Sequence, residues 1–310
     1  MSQIPFDSII VQKKSESQSE GNHKATKKSS SEELKQCGFE IGEELGKGSY
    51  CKVRKATYNN QQIAVKIINR AGLSNSFLNK FLPREIEILG KIKHENIIKI
   101  HKILNYTDRV YIFMELAQND MLNYIRGRGH LPEKEARNYF RQIVNALKYL
   151  HSMNVAHRDL KCENIMITGN NTIKIIDLGF SRSTVNSSGR RILSETYCGS
   201  TAYAAPEVLQ GTPYNPMMYD VWSLGCVLFI MVTGRMPFDD KNIRKLVTYQ
   251  LKKKIKFPSS FTLSSKVKDL IKCMLEPDVT KRMSITRVAQ SAWLKMEDSN
   301  SEKETENKKD

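Results

Sequence analysis

The sequence predicts an α+β protein in which a small β-rich lobe is followed by a larger helical lobe. Short runs rich in β-branched and aromatic residues fill the region from Phe39 to Leu116 and are typical of strands. Beyond Leu116, apolar residues recur at helical spacing, most clearly in Glu133–Met153. Both ends of the chain are polar and contain few large apolar residues. These three observations place two structured lobes between two polar ends.

The polar ends set the predicted boundaries. Residues 1–36 and 297–310 bury too little apolar surface to offset the entropy of ordering, so we predict a disordered tail at each end. The region between them, 37–296, has no internal repeat and no long linker. We expect one folded domain whose N-terminal lobe covers about 37–116 and whose C-terminal lobe covers about 117–296.

The N-terminal lobe is predicted to consist of strands interrupted by one helix, Phe77–Lys91. The apolar stretch Val221–Val232 in the C-terminal lobe is too short to span a bilayer, so we interpret it as a buried core helix. The predicted strands are Phe39–Leu45, Cys51–Tyr58, Gln62–Ile68 and Val110–Glu115, and the predicted C-terminal helices are Glu133–Met153, Met217–Thr233 and Ser265–Leu275.

Composition points to a reducing compartment. The N-terminus has no basic cap followed by an apolar run, so no secretory signal is predicted. The six cysteines show neither CxxC spacing nor a zinc-like pairing with histidine. We therefore expect reduced thiols and a cytoplasmic location, with the nucleus as the second compartment of this kind.

The formal net charge of +16 predicts attraction to anions. Nucleic acid is one candidate, and a nucleotide together with acidic proteins is another. The densest basic patch, Lys252–Lys256, contains no aromatic residues and no arginine that could read base edges. We interpret it as a solvated helix end and expect no nucleic-acid partner, whereas strongly salt-dependent DNA binding would favour the nucleic-acid alternative.

Gly46 and Gly48 lie between the first two predicted strands, in the run Gly46–Val53. Glycine lets backbone N–H groups approach a triphosphate closely, because no Cβ intervenes. A strand follows rather than a helix, and the G-K-[ST] ending is missing, which excludes a dinucleotide fingerprint and a Walker A loop. A plain hairpin turn is the alternative.

Lys66 ends the apolar run Ile63-Ala64-Val65. A lysine between apolar neighbours is expected inside a cleft, where its ammonium group needs an anionic partner. ATP phosphates and the carboxylate of Glu85, on the predicted helix, would both serve. The alternative is a surface lysine on an edge strand.

The run His157–Asn164 reads HRDLKCEN and is followed, after a pair of predicted strands, by Asp177-Leu178-Gly179. Phosphoryl transfer needs a carboxylate that orients the attacking hydroxyl and oxygen ligands that hold Mg²⁺ against the phosphates. Asp159 suits the first role, and Asn164 and Asp177 suit the second. Lys161 can offset charge on the transferring group. This is the most specific pattern in the chain.

These motifs, in this order, resemble the eukaryotic protein kinase family. The resemblance covers roughly Phe39–Trp293 and implies a bilobal protein kinase fold with kinase activity. Within the family the chain is most similar to the testis-specific serine/threonine kinases, which lie near the AMP-activated kinase branch of the calmodulin-dependent group. The segments Phe81–Leu89, Cys198–Gly211, Tyr219–Gly225 and Met236–Asp240 carry this likeness.

The resemblance implies ATP and Mg²⁺ as cofactors, with Mn²⁺ as a possible substitute. Adenine is expected between Val53 and Ala64 on one side and Met166 on the other, with Met114 guarding the back of its pocket. The implied catalytic residues are Asp159, Lys161 and Asn164; the implied metal ligands are Asn164 and Asp177; the implied ATP-binding residues are Leu45, Gly46, Lys47, Gly48, Ser49, Tyr50, Cys51, Val53, Ala64, Lys66, Glu85, Met114, Glu115, Ala117, Met166 and Asp177.

Two further implications concern structure. In the family, the equivalents of Glu207 and Arg282 form a buried ion pair, and the equivalent of Asp220 holds the backbone of the HRD loop. The sequence departs from the family at Cys51, where a third glycine is usual, and at Leu178, where phenylalanine is usual. Leucine is apolar and large enough to fill that position, so we expect activity to be retained.

Specificity and regulation follow from the same resemblance. Lys161 and Ser200 match the pattern of serine/threonine kinases. Glu163 stands where kinases that prefer basic substrates place a carboxylate for an upstream arginine, although it could instead only cap a helix. Arg158 is expected to receive a phosphate on Thr196, which would order the segment between Asp177 and Glu207.

We therefore expect a serine/threonine protein kinase, with a role in male germ-cell differentiation implied by the subfamily. The alternative is a pseudokinase scaffold, which predicts the loss of Lys66, Asp159 or Asp177, yet all three are present. The expected partners are protein substrates, an upstream activating kinase and cytosolic chaperones. A monomer with no membrane partner is expected.

Overall fold

The structure is a computed structural model that describes residues 10–12, 34–48, 51–186, 188–195, 199–238, 242–260 and 262–296. The chain divides into two compact units, Met1–Gln118 and Asn119–Asp310. The first is built mainly of strands and the second mainly of helices. The predicted α+β fold, with a small β-rich part and a larger helical part, is confirmed.

Among its described residues, the first unit has one sheet and one main helix. Neighbouring strands of the sheet run antiparallel, except that the first pairs in parallel with the fifth. The strands are β1 (Ile10–Gln12), β2 (Phe39–Lys47), β3 (Cys51–Tyr58), β4 (Gln61–Asn69), β5 (Ile100–Asn105) and β6 (Arg109–Glu115), in the order β1-β5-β6-β4-β3-β2.

The helix predicted over Phe77–Lys91 has two parts. It begins as a π-helical turn, Phe77–Phe81, and continues as the α-helix α1, Leu82–Lys91. The α-helix buries Leu82, Ile86 and Leu89 together with the side chain of Glu85. A charged side chain on the buried face of this helix requires a partner inside the unit.

The predicted N-terminal tail, residues 1–36, contains two ordered segments, and its other residues lie outside the described ones. Ile10–Gln12 forms β1, which pairs with β5 in the register Ile10–Ile103 and Gln12–Asn105. Leu34 lies in a helical turn at 34–36 and is 2% exposed, within the core of the first unit. The average polarity of the tail conceals both segments, because each depends on few apolar residues: β1 lies at the edge of the sheet and Leu34 in the core.

Aromatic side chains fill the core of the first unit. The ring of Phe39 stacks on Phe113, with centroids 3.8 Å apart, and on Tyr58 at 4.5 Å. Leu34, Ala56, Ile63, Val65, Leu104, Tyr106 and Tyr111 complete this cluster. The core therefore lies against the face of the sheet on which the Val65 side chain lies. Val65 is the residue before Lys66.

The second unit is largely helical. Its helices are α2 (Met121–Arg126), α3 (Glu133–Ser152), α4 (Pro206–Leu209), α5 (Pro216–Thr233), α6 (Ile243–Leu251), α7 (Ser265–Met274) and α8 (Ile285–Ala289). Its short strands are β7 (Asn119–Asp120), β8 (Val155–Ala156), β9 (Ile165–Ile167), β10 (Ile173–Ile175) and β11 (Arg182–Ser183).

Helix α5 is the centre of the second unit. By length and composition alone it could cross a membrane, with a mean hydropathy of 1.5, but 94% of it is buried inside the protein. The Asn215 side chain accepts a hydrogen bond from the Met217 N–H at its start, and Gly234, with a φ of +67°, ends it. A Cβ on Gly225 would lie 2.9 Å from the Met274 Cβ, so glycine permits close packing on α7. The predicted core helix is confirmed.

Candidate active site

The glycine turn of the first unit joins β2 to β3. The Gly48 N–H donates to the Cys51 carbonyl oxygen at 2.9 Å, and Gly46 faces Val53 across the hairpin. A Cβ on Gly48 would lie 3.2 Å from the Cys51 Sγ, so the thiol already fills the inner side of the turn. Ser49 and Tyr50, which were predicted to bind ATP, lie outside the described residues.

Lys66 lies on β4, between Val53 of β3 and Ile112 of β6 in the sheet register. Its Nζ lies 2.7 Å from the Glu85 Oε1, and the two side chains are 15% and 3% exposed. A buried carboxylate is costly without a charged partner, so this ion pair fixes the position of α1 relative to β4. The surface-lysine alternative is wrong for Lys66.

The residues predicted to contact adenine from the first unit lie on adjacent strands. Ala64 of β4 pairs with Met114 of β6, and Glu115 ends β6. The Glu115 Oε1 accepts the Lys99 N–H at 2.7 Å, so this side chain is engaged in holding the backbone before β5. Leu45 is 48% exposed, and Lys47 and Ala117 also lie in this unit.

In the second unit, the HRD loop (residues 157–164) is anchored to α5. The carboxylate of Asp220, which is fully buried, accepts the His157 N–H at 2.9 Å and the Arg158 N–H at 2.7 Å. The His151 Nε2 lies 2.8 Å from the same carboxylate. Arg158 has a φ of +65°, a strained conformation for a side chain that carries a Cβ. These hydrogen bonds confirm that Asp220 holds the backbone of the HRD loop. They also compensate for the strained conformation of Arg158.

The Asp159 carboxylate is 5% exposed and is held on both of its oxygens. Its Oδ1 accepts the Ser200 N–H at 3.1 Å and the Ser200 hydroxyl at 3.3 Å. Its Oδ2 lies 2.9 Å from the Lys161 Nζ and accepts the Asn164 Nδ2 at 3.1 Å. Lys161 also donates to the Ser200 Oγ at 3.0 Å. The carboxylate is therefore fixed in orientation, as a group that positions a hydroxyl must be.

Gly199 allows this contact. Its φ is +90°, and a Cβ there would lie 2.7 Å from the Arg158 carbonyl oxygen and 3.2 Å from the Asp159 Oδ1. Only glycine fits so close to the HRD loop. Sequence reasoning missed Gly199, although the motif Cys198-Gly199-Ser200 contains the signal.

Asn164 and Asp177 are brought together by the β9–β10 hairpin. β9 follows Asn164, β10 precedes Ile176, and the Ile176 N–H donates to the Asn164 carbonyl oxygen at 3.0 Å. The Asn164 Nδ2 also donates to the Asp159 carbonyl oxygen at 2.9 Å. The Oδ1 of the same amide group therefore points away from that carbonyl oxygen. An amide oxygen and a carboxylate are the hard ligands that Mg²⁺ prefers, so these residues fit the ion. Asp177 has a φ of +61°, a further strained position.

The side chains beside this hairpin differ in burial. Leu178, which replaces the usual phenylalanine, is 1% exposed, so this position is shielded from solvent. Met166 lies on β9 opposite Lys174 of β10 and is half-buried. The thiol of Cys162, in the HRD loop, is fully buried, and burial raises its pKa to about 12. Such a thiol is inert at neutral pH.

Glu163 is exposed and oriented by a neighbour. The Tyr203 hydroxyl donates to the Glu163 Oε2 at 3.1 Å, and Tyr203 is itself 5% exposed. The carboxylate is therefore presented to solvent on a fixed support. Sequence reasoning missed Tyr203, because no local sequence pattern predicts a contact between residues 40 positions apart.

The ion pair implied for Glu207 and Arg282 is confirmed. The Arg282 Nη1 and Nη2 donate to the two Glu207 carboxylate oxygens at 2.7 and 2.9 Å, and the Arg282 side chain is fully buried. Arg282 also donates to the carbonyl oxygens of Glu276 and Met218. This bidentate pair joins α4 to the segment before α8.

The comparisons with known proteins agree with this geometry. The protein kinase domain family matches residues 39–294. Testis-specific serine/threonine-protein kinase 1 of Mus musculus is 49% identical over 267 residues, which cover 84% of this chain and 73% of that protein. Testis-specific serine/threonine-protein kinase 3 of Mus musculus is 44% identical, with 83% and 96% covered. Serine/threonine-protein kinase SIK1 of Rattus norvegicus is 38% identical, with 83% and 32% covered. The chain therefore belongs to the protein kinase family and, within it, to the testis-specific serine/threonine kinases.

Proposed function

We propose that this protein transfers the γ-phosphoryl group of Mg-ATP to serine and threonine hydroxyls of other proteins. The observation that carries the proposal is the buried Asp159 carboxylate, held by Ser200, Lys161 and Asn164. Asp159 orients the incoming hydroxyl and accepts its proton as the new O–P bond forms and the bond to the ADP oxygen breaks. Lys161 offsets the negative charge of the transferring group.

The remaining roles concern ATP. Lys66, supported by Glu85, contributes a positive charge for the phosphates. Asn164 and Asp177 would hold Mg²⁺, and Mn²⁺, which also accepts oxygen ligands, is expected to substitute. When bound, the ion neutralises charge on the phosphate oxygens. Of the other residues assigned to ATP from the sequence, the glycine turn and the Ala64–Met114 strand pair support the proposal by their placement on one sheet.

A peptide assay tests this proposal. The purified full chain is incubated with γ-labelled ATP, Mg²⁺ and three peptides that differ only in a Ser, Thr or Tyr acceptor. We expect label on the Ser and Thr peptides, little on the Tyr peptide and none after chelation of the metal. Equal labelling of the Tyr peptide would contradict the Ser/Thr preference. Absence of label from all three peptides and from general protein substrates would contradict the activity itself.

We further propose a preference for arginine upstream of the target residue. The support is the exposed Glu163 carboxylate, oriented by the Tyr203 hydroxyl. A peptide array should show a gain from upstream arginine that Glu163→Gln removes, while activity on peptides without arginine is unchanged. If the preference is the same in Glu163→Gln, the carboxylate has only a local structural role.

Activation by phosphorylation of Thr196 is also a proposal. Thr196 lies outside the described residues, and the support comes from Arg158, a cationic residue of the HRD loop that is 2% exposed. A phosphate would neutralise it and order the segment that it contacts. We expect Thr196→Ala to lower activity and to remove the corresponding phosphopeptide from mass spectra. Full activity of Thr196→Ala would contradict this proposal.

The biological setting is proposed from relatives. The names of the most similar relatives describe testis-specific kinases, so we propose a role in male germ-cell differentiation, in the cytoplasm or nucleus, with an upstream kinase and cytosolic chaperones as partners. Antibody staining of testis sections against other tissues tests this, and staining confined to other tissues would contradict it.

A further inference from the structure

Among the described residues, the hydrogen bonds of the Arg158 guanidinium go to neutral groups. Its Nε donates to the Phe180 carbonyl oxygen at 2.7 Å, and its Nη1 donates to the Ser194 hydroxyl at 2.9 Å. The residue is 2% exposed. A buried cation whose acceptors are uncharged depends strongly on each of them, because water cannot replace a lost contact.

Ser194 is held where its hydroxyl meets this cation. It is 1% exposed, its N–H donates to the Tyr214 carbonyl oxygen at 2.8 Å, and the Tyr214 N–H donates back at 2.9 Å. Tyr214 immediately precedes Asn215, which caps α5. Since Asp220 of α5 holds the Arg158 backbone, both the backbone and the side chain of Arg158 are tied to the same helix.

The same segment reaches the reacting carboxylate a few residues later. We call residues 177–207 the activation segment. Ser194 contacts Arg158, and Ser200 contacts Asp159 through its N–H and its hydroxyl. Two consecutive residues of the HRD loop are therefore bound at two points of the activation segment, so movement at Ser194 would shift the support of Asp159.

We propose that Ser194 is a positioning residue whose hydroxyl takes the place beside Arg158 that an anion would otherwise occupy. It thereby docks the activation segment on the HRD loop and sustains basal activity before any phosphorylation. This inference rests on the proposed kinase function and adds to it a second contact at Arg158, distinct from Thr196.

The test measures kcat and KM of phosphatase-treated full-length variants, with melting temperatures to monitor folding. Ser194→Ala leaves a buried donor of Arg158 unpaired, so we expect kcat to fall at least about tenfold with little change in the KM for ATP. Ser194→Asp restores an acceptor, now charged, and is expected to recover activity to within about threefold of wild type or above it. Ser188→Ala, the same change at an exposed position of the segment, is the control and should be as active as wild type.

The order of the variants separates positioning from packing. If Ser194 only filled space, the smaller Ala would be tolerated better than a buried Asp, and that order would overturn the inference. In an Arg158→Ala background, Ser194→Ala should have no further effect on kcat, and additive losses would also overturn it. If Ser194→Ala does not fold, the isosteric pair Ser194→Thr and Ser194→Val replaces it, and Val must be the less active.

The inference and the proposed function fail in different ways. An inactive wild-type protein would contradict the proposed function. An active wild type together with a Ser194→Ala variant as active as Ser188→Ala, or more active than wild type, would overturn the positioning role alone.

Discussion

The two units hold their functional charges by different means. In the first unit, Lys66 is joined to Glu85, which lies on a separate helix that begins with a π-helical turn. In the second, Asp159 is held on both oxygens, and the loop that carries it is anchored by Asp220. An ion pair between two elements can be made or broken by moving one of them. A network distributed over a loop, a helix and the activation segment cannot be broken without disrupting that loop. We therefore expect the Lys66–Glu85 ion pair to be made and broken as α1 moves. We expect the hydrogen bonds around Asp159 to stay the same.

The largest expected effect is at Lys66. Lys66→Met removes the ammonium group, so kcat should fall by about 10³-fold with the fold intact. Glu85→Gln keeps the ammonium and removes only its support, so the loss should be smaller, about tenfold. Steady-state kinetics with circular dichroism as a folding control measures both. Equal losses in the two variants would contradict the view that Glu85 only supports Lys66.

The second effect concerns the stability of the second unit. Arg282→Ala leaves the Glu207 carboxylate half-buried and unpaired, and the free energy of unfolding should fall by about 3 kcal/mol. Lys272→Ala is the control, because Lys272 pairs with Asp269 and the two side chains are 58% and 68% exposed, so its loss should be below about 1 kcal/mol. Chemical denaturation measures the two values. Similar losses would show that burial of the pair does not matter.

The smallest expected effect is a difference in alkylation rate between cysteine thiols of the two units. Burial raises the pKa of Cys162 to about 12 and also raises the pKa of Cys226. Both should be labelled at pH 8 at least about 10²-fold more slowly than the exposed Cys273, because labelling needs the thiolate. The rate at Cys162 should rise as the pH approaches its pKa. Cys51, half-buried in the glycine turn, should react faster than Cys162. Mass spectrometry of alkylated peptides measures each rate. Comparable rates at Cys51 and Cys162 would contradict the expected difference between these two thiols.

Much of the fold was predictable because local patterns specify it. Strands β3 and β6 and helices α3, α5 and α7 coincide with the predicted segments to within a residue or two. β5 (Ile100–Asn105) was not predicted, because two adjacent polar residues, His101 and Lys102, interrupt its apolar residues, which therefore do not alternate as in a half-buried strand. β1 was missed because its partner, the edge of β5, is remote in sequence.

The sequence predicted the motif residues of the candidate site but not the residues that position them. The HRD run and Asp177 were identified because the residues act through motifs of fixed spacing. Ser194, Gly199 and Tyr203 were missed as contacts, because each acts through a partner that only the fold brings near. Local spacing identifies the groups that carry chemistry, and tertiary packing decides which groups position them.

The most direct test of the central claim replaces Asp159 by Asn. The change keeps the shape of the side chain and removes the charge that orients and deprotonates the hydroxyl, whereas Asp269→Asn makes the same change at a side chain that is 68% exposed. We predict that Asp159→Asn lowers kcat about 10³-fold while a fluorescent nucleotide still binds, and that Asp269→Asn remains as active as wild type. An Asp159→Asn protein with activity within about tenfold of wild type would contradict the account.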